Sequence, residues 1–510
     1  FHGREFCMID TLNCKNRDHY RRFLKIKSLP QYRITGRECW FPDEYAAAVG
    51  VSACKRREKH CLQLGSHLFD YQRDIATMAI RKQKFAVFAD CGLGKTFMLL
   101  EFARHARRVL ERSQSVLIVS PLMVVKQTLD EAARWYPEMQ IEQVASKDLH
   151  EWTKRGVGIG ITNYDALTDE VTQGNLGALI LDESSMLKSH YGKWGQKCLE
   201  LGAGLHWKLC CTGTPAPNDR IEYANHAVFL DHFPTVNAFL ARFFVNRGQT
   251  DNRWELKPHA LEPFYRALSH WALFLTNPAT YGWKDNCGTL PPIRVHVDHV
   301  ELTKEQEHLV RSISGKLVVT DLGGITSRSV MGQIAKGHYK GDDVPTLKFE
   351  YIRQLVEREP ERSTIIWCHY NDEQDKCAAL FPDAANIDGG TSQDKRQYLI
   401  EDFRAGRRKV LISKPRILGF GLNLQVATRQ IFSGLQDSYE EYYQAVKRSN
   451  RIGSTEPLDV HIPVTEIERP MIETVLRKAA MVEHDTQEQE RIFRTHGMGI
   501  LEGSGAIGDV

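Results

Sequence analysis

Short apolar runs alternate with longer amphipathic segments in two separate parts of the chain. An apolar run bounded by turn-forming residues is typical of a buried strand, whereas apolar residues recurring every three or four positions are typical of a helix. Regular alternation of the two predicts parallel sheets covered by helices. The predicted strands of the first series are 84–89, 115–121, 158–164, 178–183 and 208–213. Those of the second series are 363–370, 408–414, 428–434 and 458–464.

A segment with a different residue pattern separates the two series. Residues 231–345 are rich in aromatic and helix-like patterns and end in a glycine-rich, weakly hydrophobic stretch. We therefore predict an α/β protein of five parts. These are a small α+β N-terminal module (1–64), a first lobe (65–230), a helical insertion and linker (231–345), a second lobe (346–470) and a C-terminal tail (471–510). We expect Trp254, Trp271 and Trp283 to pack within a lobe rather than stack on bases, and the end of the tail to fray.

The most informative local sequence is FADCGLGKTFMLL at 88–100. It places a glycine-containing turn between a predicted strand and a predicted helix, so that the helix N-terminus faces the turn. That arrangement is typical of a loop that wraps the phosphates of ATP, with Lys95 meeting the β- and γ-phosphates and Thr96 holding magnesium. Ala89 stands where the common pattern has its first glycine, so a connection without a ligand is the alternative. The candidate nucleotide contacts are Asp90, Gly92, Leu93, Gly94, Lys95 and Thr96.

A second element of an ATPase site follows in ALILDESS at 178–185. A carboxylate at the end of a buried strand can hold magnesium, as we expect of Asp182, and its neighbour Glu183 can polarise the attacking water. The alternative is an acidic helix cap followed by Ser184 and Ser185. The lysine loop upstream favours the catalytic interpretation.

A third element lies in QAVKRSNRIGS at 444–454. Gln444, Arg448 and Arg451 are spaced by four and three residues, so on a helix they share one face. Arginines placed in this way can neutralise the charge that develops on a transferred phosphoryl group. The alternative is a solvated basic helix, which the two upstream elements make less probable.

Composition and charge mainly exclude other classes of protein. The 510 residues are 42% hydrophobic and 26% charged, which suits a globular protein of several domains. The formal net charge of +3 does not diagnose a nucleic-acid partner, so any basic track must be local. No apolar window approaches the length that spans a bilayer, and no signal pattern opens the chain. We expect a protein without a membrane partner.

Cysteine usage bears on the compartment and on metal binding. Twelve scattered cysteines suit free thiols in a reducing compartment, so we expect a cytoplasmic protein, or a nuclear one in a eukaryote. Five cysteines and His60 fall within the first 61 residues, but their spacing is loose and they form no C-x-x-C pair. Ordinary thiols are therefore favoured over a structural zinc site. The five are Cys7, Cys14, Cys39, Cys54 and Cys61.

Taken in order, these and other motifs resemble the superfamily-two helicases. The first series of motifs is FDYQRDIA (69–76), DCGLGKT (90–96), SPLMVVKQTLDEAARW (120–135), ITNYDAL (161–167), LDESSMLKS (181–189) and CTGTPAPN (211–218). The second series is IIWCHY (365–370), DGGTSQDKR (388–396), ISKPRILGFGLNLQVA (412–427) and QAVKRSNRIGS (444–454). TGTPAPN, LPPIRVHVDHVELTKEQ (290–306), GFGLNL and the arginine motif make the chain similar to the SWI/SNF-related ATPases, of bacterial or bacteriophage type.

This resemblance implies two RecA-like lobes that close on ATP and magnesium, with DNA crossing both. It implies that Gln72 reads the adenine edge, and that Gly421, Asn423 and Gln444 complete the nucleotide site. It also implies that the threonines at 212 and 214 couple hydrolysis to lobe movement. The candidate contacts to the DNA backbone are Pro121, Lys126, Asn163, Thr212, Gly213, Thr214, Ser413 and Lys414.

Three residues depart from the pattern of this family. The acidic motif reads DESS instead of a form with histidine, Asn450 replaces a histidine of the arginine motif, and Ser454 replaces its glutamine. The residues expected to carry the chemistry are present in spite of these changes. The departures put in doubt how hydrolysis is coupled to movement on DNA.

The N-terminal segment 18–49 resembles the HARP-type module found beside annealing-type DNA translocases. It predicts an amphipathic helix, a turn at Pro30 and then a strand. Its basic side chains and the aromatic rings of Tyr32 and Trp40 could contact phosphates and an unpaired base. Equally, Phe23, Leu24 and Trp40 could form a small core with solvated charges around it. The basic residues are Arg21, Arg22, Lys25, Lys27, Arg33 and Arg37.

The function implied is that of an ATP-dependent motor that translocates along double-stranded DNA and acts on forks or junctions by remodelling or annealing. A strand-separating helicase acting on DNA or RNA is one alternative. An ATP-gated DNA clamp or recruitment factor with slow hydrolysis is another. We expect a monomeric motor whose partners are double-stranded or forked DNA, with any cleavage supplied by a separate nuclease.

Overall fold

The computed structural model describes residues 6–10, 16–51, 63–188, 192–248, 254–284, 290–314, 325–418, 422–434, 438–451 and 453–497. The chain divides into two compact units. The first unit comprises Phe1–Asn286 together with Glu483–Val510, and the second comprises Cys287–Val482. The five domain boundaries predicted from the sequence stay predictions.

A small α+β module opens the first unit. Its elements are β1 (Phe6–Asp10), α1 (Arg17–Ser28), β2 (Arg33–Thr35), β3 (Glu38–Pro42) and α2 (Ala46–Val49). The three strands form an antiparallel sheet in the order β1-β3-β2. Ile26, Cys39 and Phe41 are fully buried between helix and sheet, so the module has a core of its own.

This module is fastened to the rest of the first unit by polar contacts. The Arg242 guanidinium donates to the carbonyl oxygens of Pro30 and Lys27, at 2.6 and 2.8 Å, and lies over the Tyr32 ring. The Tyr45 hydroxyl lies 2.5 Å from His232 Nδ1 in the interior. Tyr32, which the sequence offers as a base-stacking ring, therefore has a cation packed against it already.

The core of the first unit is a seven-stranded parallel sheet in the order β12-β4-β9-β8-β5-β7-β6. Its strands are β4 (Lys84–Ala89), β5 (Ser115–Ser120), β6 (Ile141–Gln143), β7 (Ile159–Asn163), β8 (Leu176–Asp182), β9 (Trp207–Thr212) and β12 (Ala272–Leu275), and a separate antiparallel pair is β10 (Phe244–Asn246) and β11 (Trp254–Leu256). The helices are α3 (Asp70–Lys82), α4 (Lys95–Val109), α5 (Leu122–Trp135), α6 (Leu149–Arg155), α7 (Lys193–Gly202), α8 (Tyr223–Phe229), α9 (Val236–Phe243) and α10 (Leu261–Ser269).

The five strands predicted for the first series are confirmed. Every residue of β4, β5, β8 and β9 is buried, as expected for a parallel sheet covered on both faces. Two further strands of this seven-stranded sheet were missed. β6 is short and polar, and β12 is a four-residue apolar run that periodicity cannot distinguish from helix.

The aromatic block of the first unit packs inward. Trp271 is fully buried, and its ring stacks on His232 with centroids 5.6 Å apart. Trp254 packs against the same core from its edge. The Trp283 indole nitrogen donates to Asp74 at 2.7 Å. The prediction that these rings pack within a lobe is confirmed for Trp271.

The second unit is built on a six-stranded parallel sheet in the order β13-β20-β19-β16-β18-β17. Its strands are β13 (Ile293–His299), β16 (Thr364–Trp367), β17 (Ala385–Asn386), β18 (Val410–Ser413), β19 (Arg429–Phe432) and β20 (Leu458–Val464), with a hairpin of β14 (His338–Tyr339) and β15 (Asp342–Asp343). The helices are α11 (Lys304–Ser314), α12 (Ile325–Ala335), α13 (Lys348–Glu357), α14 (Asn371–Leu380), α15 (Gln393–Arg404), α16 (Pro415–Leu418), α17 (Tyr439–Ser449) and α18 (Arg469–Ile492).

All four strands predicted for the second series are confirmed. The sequence did not predict β13 and β17, which lie at the two edges of this sheet. β13 pairs in parallel with β20 along seven residues. Its Val295 and Val297 are exposed, so its pattern differs from that of the buried central strands. The fold is thus an α/β fold with two parallel sheets flanked by helices.

The end of α18 belongs to the first unit. There Arg220 donates to both carboxylate oxygens of Asp485, at 2.7 and 2.5 Å. Glu490 accepts hydrogen bonds from the backbone and the hydroxyl of Thr276, at 2.8 and 2.6 Å. Ile492 is buried in the core of that unit. Residues 501–510, for which the sequence predicts fraying, lie outside the described residues.

Candidate nucleotide and DNA site

The carboxyl ends of five neighbouring strands bring the motifs of the first unit to one edge of its sheet. In a parallel sheet these ends all point the same way, so loops that are distant in sequence meet there. β4 leads into the glycine turn and β8 ends at Asp182. β9, β5 and β7 end at Thr212, Ser120 and Asn163. This edge is the candidate site of the first unit.

The glycine turn has the backbone of a phosphate loop. Gly92 and Gly94 have φ of 87° and 75°, in the left-handed region that glycine adopts without strain. α4 begins directly afterwards at Lys95, so the free amides of its first turn face the loop. A Cβ on Gly94 would lie 2.3 Å from Gln72 Nε2. The residue between glycines, Leu93, is buried and anchors the turn.

Lys95 is held inside this loop by backbone oxygens. Its Nζ donates to the carbonyl of Ala89 at 2.9 Å and to that of Asp90 at 3.4 Å. Burial works to lower the pKa of Lys95, but nearby Cys91, Glu183 and the two aspartates outweigh it and leave the pKa above its usual value. The side chain therefore stays an ammonium, which is the form that binds phosphate.

Asp182 is buried and oriented from two sides. The Ser120 hydroxyl donates to Oδ2 at 2.9 Å, and the Glu183 amide donates to Oδ1 at 3.1 Å. The Tyr164 hydroxyl donates to the Asp182 carbonyl at 2.7 Å. Burial and the neighbouring Glu183 raise the pKa of Asp182, against the smaller opposing effects of Ser120 and Lys95. A buried carboxylate of this kind is stabilised by a cation.

Glu183 stands in a strained backbone conformation and is tied to the next strand. Its φ is 48°, a left-handed conformation that is uncommon for a residue other than glycine. The Thr212 hydroxyl donates to Glu183 Oε2 at 3.2 Å, and the Thr214 amide donates to Thr212 Oγ1 at 3.1 Å. Thr212 thus connects the acidic pair to the TGTP segment.

Gln72 contacts the phosphate loop rather than open space. Its side-chain amide donates to the Leu93 carbonyl at 3.3 Å, beside the Tyr71 hydroxyl, which donates to the same oxygen at 3.1 Å. Its Oε1 accepts from the Phe69 amide at 3.1 Å. The side chain is buried. The adenine-reading role of Gln72 stays a prediction.

The arginine motif of the second unit is only partly helical. α17 contains Gln444 and Arg448, both buried, and ends at Ser449. Ser454 Oγ accepts from the Arg451 amide at 3.1 Å and donates to the Ser449 carbonyl at 2.8 Å. Because this turn ends the helix, the prediction that Arg451 shares a helix face with the other two was wrong.

Arg451 nevertheless lies against the other motif of the second unit. Its Nη1 donates to the Leu422 carbonyl at 3.2 Å. Gln425 joins the two segments, because its Nε2 donates to the Arg451 carbonyl and its Oε1 accepts from Asn423 Nδ2, at 3.3 and 2.9 Å. Gly421 lies outside the described residues. Asn423 and Arg451 are therefore brought together, as one nucleotide site requires.

Two of the departures from the family pattern have structural partners. Asn450 Nδ2 donates to the Pro291 carbonyl at 2.9 Å, and it caps the end of α17. Ser454 closes the turn that follows this helix. Both residues thus hold the arginine motif in place.

The candidate DNA contacts fall into two groups. Pro121 precedes α5, Lys126 on that helix is exposed, and Lys414 bonds Asn371 near the surface. The Asn163 side chain caps a short turn, because its Oδ1 accepts a hydrogen bond from the Ala166 amide. The side chains of the second group are buried, and the hydroxyl of Ser413 donates to the Ile387 carbonyl at 2.7 Å. The members of the second group are Thr212, Thr214 and Ser413. Gly213 is partly buried between the two threonines.

Sequence reasoning missed three side chains of this site. Ser120, Tyr71 and Tyr164 each donate to a residue of the phosphate loop or the acidic motif. Ser120 had a detectable signal, because it ends a predicted strand next to the one that carries Asp182. The tyrosines had none, since their partners are backbone oxygens.

The residues present fit ATP and magnesium. The loop offers a helix N-terminus, two left-handed glycines and an ammonium, which together match a polyphosphate. Magnesium is usually held by one or two protein oxygens together with phosphates and water, and Asp182 with Thr96 supplies such oxygens. In the described ranges, no group of three or more His, Cys, Asp or Glu side chains is arranged to hold a metal ion by itself.

Fold and site together are those of an ATPase, and the family matches make it a DNA-dependent ATPase of helicase superfamily two. Comparison with known families gives the particular one. The family described as SNF2-related domain matches residues 72–340, and the helicase conserved C-terminal domain matches residues 347–453. The chain belongs to the SNF2-related family.

Individual relatives are distant. The mouse protein described as DNA annealing helicase and endonuclease ZRANB3 is 24% identical over 429 residues, which cover 78% of this chain and 38% of the relative. Putative protein p41 of Acyrthosiphon pisum secondary endosymbiont phage 1 is 25% identical over 439 residues, covering 77% of this chain and 91% of the relative. The Sulfolobus solfataricus SWI2/SNF2 ATPase core, solved in complex with dsDNA, is 19% identical with a TM-score of 0.41, covering 86% of this chain and 99% of its own.

Two further expectations concern membranes and zinc. In the part of the chain that the structure describes, none of the helices is long and apolar enough to cross a bilayer. Among the described residues, Cys7 and Cys39 are buried cysteines that are not joined in a disulfide, whereas Cys14, Cys54 and Cys61 lie outside the described residues. The preference for ordinary thiols over zinc stays a prediction.

Proposed function

We propose that the chain is a motor that hydrolyses ATP when bound to DNA and translocates along the double helix, remodelling or annealing forks or junctions. The observation that carries this proposal is that one sheet edge holds Lys95 within electrostatic reach of Asp182 and Glu183, with Thr212 hydrogen-bonded to Glu183. It combines a phosphate-binding ammonium, a cation-binding carboxylate and a second carboxylate with a link to the next motif. Family membership adds DNA as the activating partner.

In the proposed reaction, the loop amides and Lys95 hold the β- and γ-phosphates. Asp182 and Thr96 hold magnesium, which when bound neutralises charge on the phosphate oxygens. Glu183 orients a water and accepts its proton as the water attacks the γ-phosphorus, while the bond from that phosphorus to the β–γ bridging oxygen breaks and ADP leaves. Thr212 shares its hydroxyl hydrogen with Glu183 in this state, so we propose that this bond changes during turnover and signals along the TGTP segment.

The second unit is proposed to supply positive charge to the transferred phosphoryl group. Arg448 and Arg451 are the groups for this role, since a guanidinium can offset the charge that develops in the transition state. Their loss is expected to lower the turnover rate by about a thousandfold. Gln444 and Asn423 are proposed to position them.

The DNA partner is proposed to be gripped mainly through phosphates. Lys126 and Lys414 are cations near the ends of parallel strands, where they could contact DNA phosphates. Contacts to the phosphates of DNA carry little information about base sequence. The basic residues of the N-terminal module are proposed to favour forks, in line with the similarity to ZRANB3, a DNA annealing helicase and endonuclease. We propose a monomeric motor that leaves cleavage to a separate nuclease.

The test is steady-state ATP hydrolysis by the purified chain without nucleic acid and with duplex DNA, single-stranded DNA, forked DNA and RNA. Duplex or forked DNA is expected to stimulate hydrolysis strongly, and Lys95→Ala is expected to abolish it with an unchanged melting temperature. Displacement of a third strand from a triplex then reports translocation. Stimulation by RNA alone would contradict the proposal. ATP-dependent DNA binding without turnover would indicate the clamp instead.

A fork preference is tested by comparison. Wild type and a variant carrying Arg33→Ala and Arg37→Ala are assayed on matched duplex and forked DNA, because both arginines are exposed on the module. The variant is expected to lose the extra stimulation by the fork and keep that by the duplex. Equal loss on both would refute a fork-specific role of the module.

A further inference from the structure

The acidic motif ends in two serines, Ser184 and Ser185. In the structure, a histidine reaches this motif from another element. His226 on α8 places its Nε2 3.0 Å from Ser184 Oγ. Both side chains are fully buried. The two residues are 42 positions apart in the chain, which is why the sequence gives no sign of the pair.

The surroundings of His226 determine how it bonds. Its ring lies edge-on to Phe88, with centroids 5.1 Å apart, on the strand that leads into the phosphate loop. Burial lowers the pKa of His226, and hydrogen bonds to the backbones of Glu222 and Ser184 oppose this effect only in part. The ring is therefore neutral, and its Nε2 pairs with the Ser184 hydroxyl.

The Ser184 hydroxyl also interacts with a third group. Cys210 on β9 lies within hydrogen-bond reach of Ser184, and this bond opposes the rise that burial causes in the pKa of the thiol. Ser184 is then held by groups from α8 and from β9. A short buried hydroxyl held from two sides has one orientation available.

The position of Ser184 matters because of the residue before it. Glu183 is in the left-handed conformation, with φ of 48°, and a 3-10 turn begins directly afterwards at Ser184. Such a conformation persists only where the surroundings hold it. Fixing Ser184 fixes the far side of this turn, while Thr212 fixes the Glu183 carboxylate. The direction of the carboxylate therefore depends on both anchors.

We propose that His226, which reaches the acidic motif from α8, is a positioning residue for Glu183. Through Ser184 it holds the strained turn that aims the Glu183 carboxylate. The inference rests on the proposed role of Glu183 in hydrolysis. It predicts a defect in the turnover step rather than in nucleotide binding.

The experiment compares His226→Leu, Ser184→Ala and the double variant. DNA-stimulated hydrolysis gives kcat and KM, and a fluorescent non-hydrolysable ATP analogue gives Kd. Each single change is expected to lower kcat by about tenfold to a hundredfold, the range for a small misplacement of a catalytic group, with KM and Kd nearly unchanged. The double variant is expected to be no worse than the poorer single one. His226→Gln keeps a side-chain N–H and is expected to recover most of the rate.

His232→Leu is the matched control. His232 is also buried in the first unit, but its partners are Tyr45 and the Lys84 carbonyl. It is expected to lower the melting temperature without a selective effect on kcat. Normal kcat in His226→Leu would overturn the inference, as would multiplying effects of the two single changes or the same kinetic defect in His232→Leu.

Hydrogen exchange supplies a readout that needs no turnover. Amides of residues 183–188 are expected to exchange faster in His226→Leu than in wild type, with no such change in His232→Leu. If these amides exchange at the wild-type rate in His226→Leu, His226 does not anchor the turn, whatever the kinetics of that variant. A wild-type chain that fails to hydrolyse ATP with any DNA would instead refute the proposed function, while the exchange result still decides whether His226 holds the turn.

Discussion

Removing Lys348 should destabilise the second unit by several kcal/mol. Its ammonium pairs with Glu468 at 2.5 Å, and the two side chains are 0% and 1% exposed. Glu468 also accepts from the backbone and hydroxyl of Thr465, at 3.2 and 3.0 Å. In Lys348→Met these two bonds remain, but the buried Glu468 carboxylate loses the ammonium with which it pairs. Breaking a buried pair in this way costs about 3–5 kcal/mol.

The double variant Lys348→Met, Glu468→Leu separates the cost of an unpaired charge from the value of the pair. Replacing both members by apolar groups is often neutral or stabilising, so most of the lost stability should return. Arg311→Met is the matched control, because Arg311 and its partner Glu307 are 80% and 48% exposed. An exposed pair of this kind contributes less than about 1 kcal/mol.

Hydrogen exchange measured by mass spectrometry reads the second unit within the full chain. Opening free energies from peptides of α13 and β20 should fall by about 3–5 kcal/mol in Lys348→Met and by less than about 1 kcal/mol in Arg311→Met. Equal, small changes in both variants would refute the argument from burial. A double variant as unstable as the single one would show that packing, rather than charge, is lost.

Three further predictions concern the first unit. Gly94→Ala should abolish binding of a fluorescent ATP analogue, because Gly94 has a φ of 75° and the new Cβ would lie 2.3 Å from Gln72 Nε2. Gly36→Ala is the control and should leave binding intact, because a Cβ there would meet open space. N-ethylmaleimide should inactivate the ATPase through partly exposed Cys91 in the loop, ATP should protect it, and Cys91→Ser should resist. Burial lowers the pKa of His226 to about 4, so as the pH falls the unfolded chain binds a proton on this ring before the folded chain does. The free energy of unfolding should therefore fall by about 3 kcal/mol between pH 6.5 and 4, and it should fall less steeply in His226→Gln.

The central strands and the ends of the motifs were predictable because each is encoded locally. The run 178–183 carries its own apolar pattern and its own acidic end, and the structure has Asp182 as the last residue of β8. The same holds for the glycine turn, whose residue types require left-handed backbone angles. Fold class and candidate chemistry follow from such segments without knowledge of their neighbours.

Contacts between segments were not predictable, because the order of strands in the sheet differs from their order in the chain. β12 lies beside β4 although about 190 residues separate them, and its sequence, ALFL, suits helix and strand alike. The Ser120–Asp182 bond depends on β5 lying next to β8. His226 has no distinguishing pattern on α8. Arg451 was misplaced because the turn closed by Ser454 overrides the helical spacing.

The chain enters the first unit, leaves it for the second, and returns with the end of α18, so the second unit is an insertion within the first. The ion pair of Arg220 with Asp485 and the bonds of Glu490 to Thr276 can form only after these late residues have been synthesised. A nascent chain that has emerged only to residue 286 therefore has a first unit that still lacks these contacts. The first unit should reach its full stability only after residues 483–492 have been synthesised and have emerged.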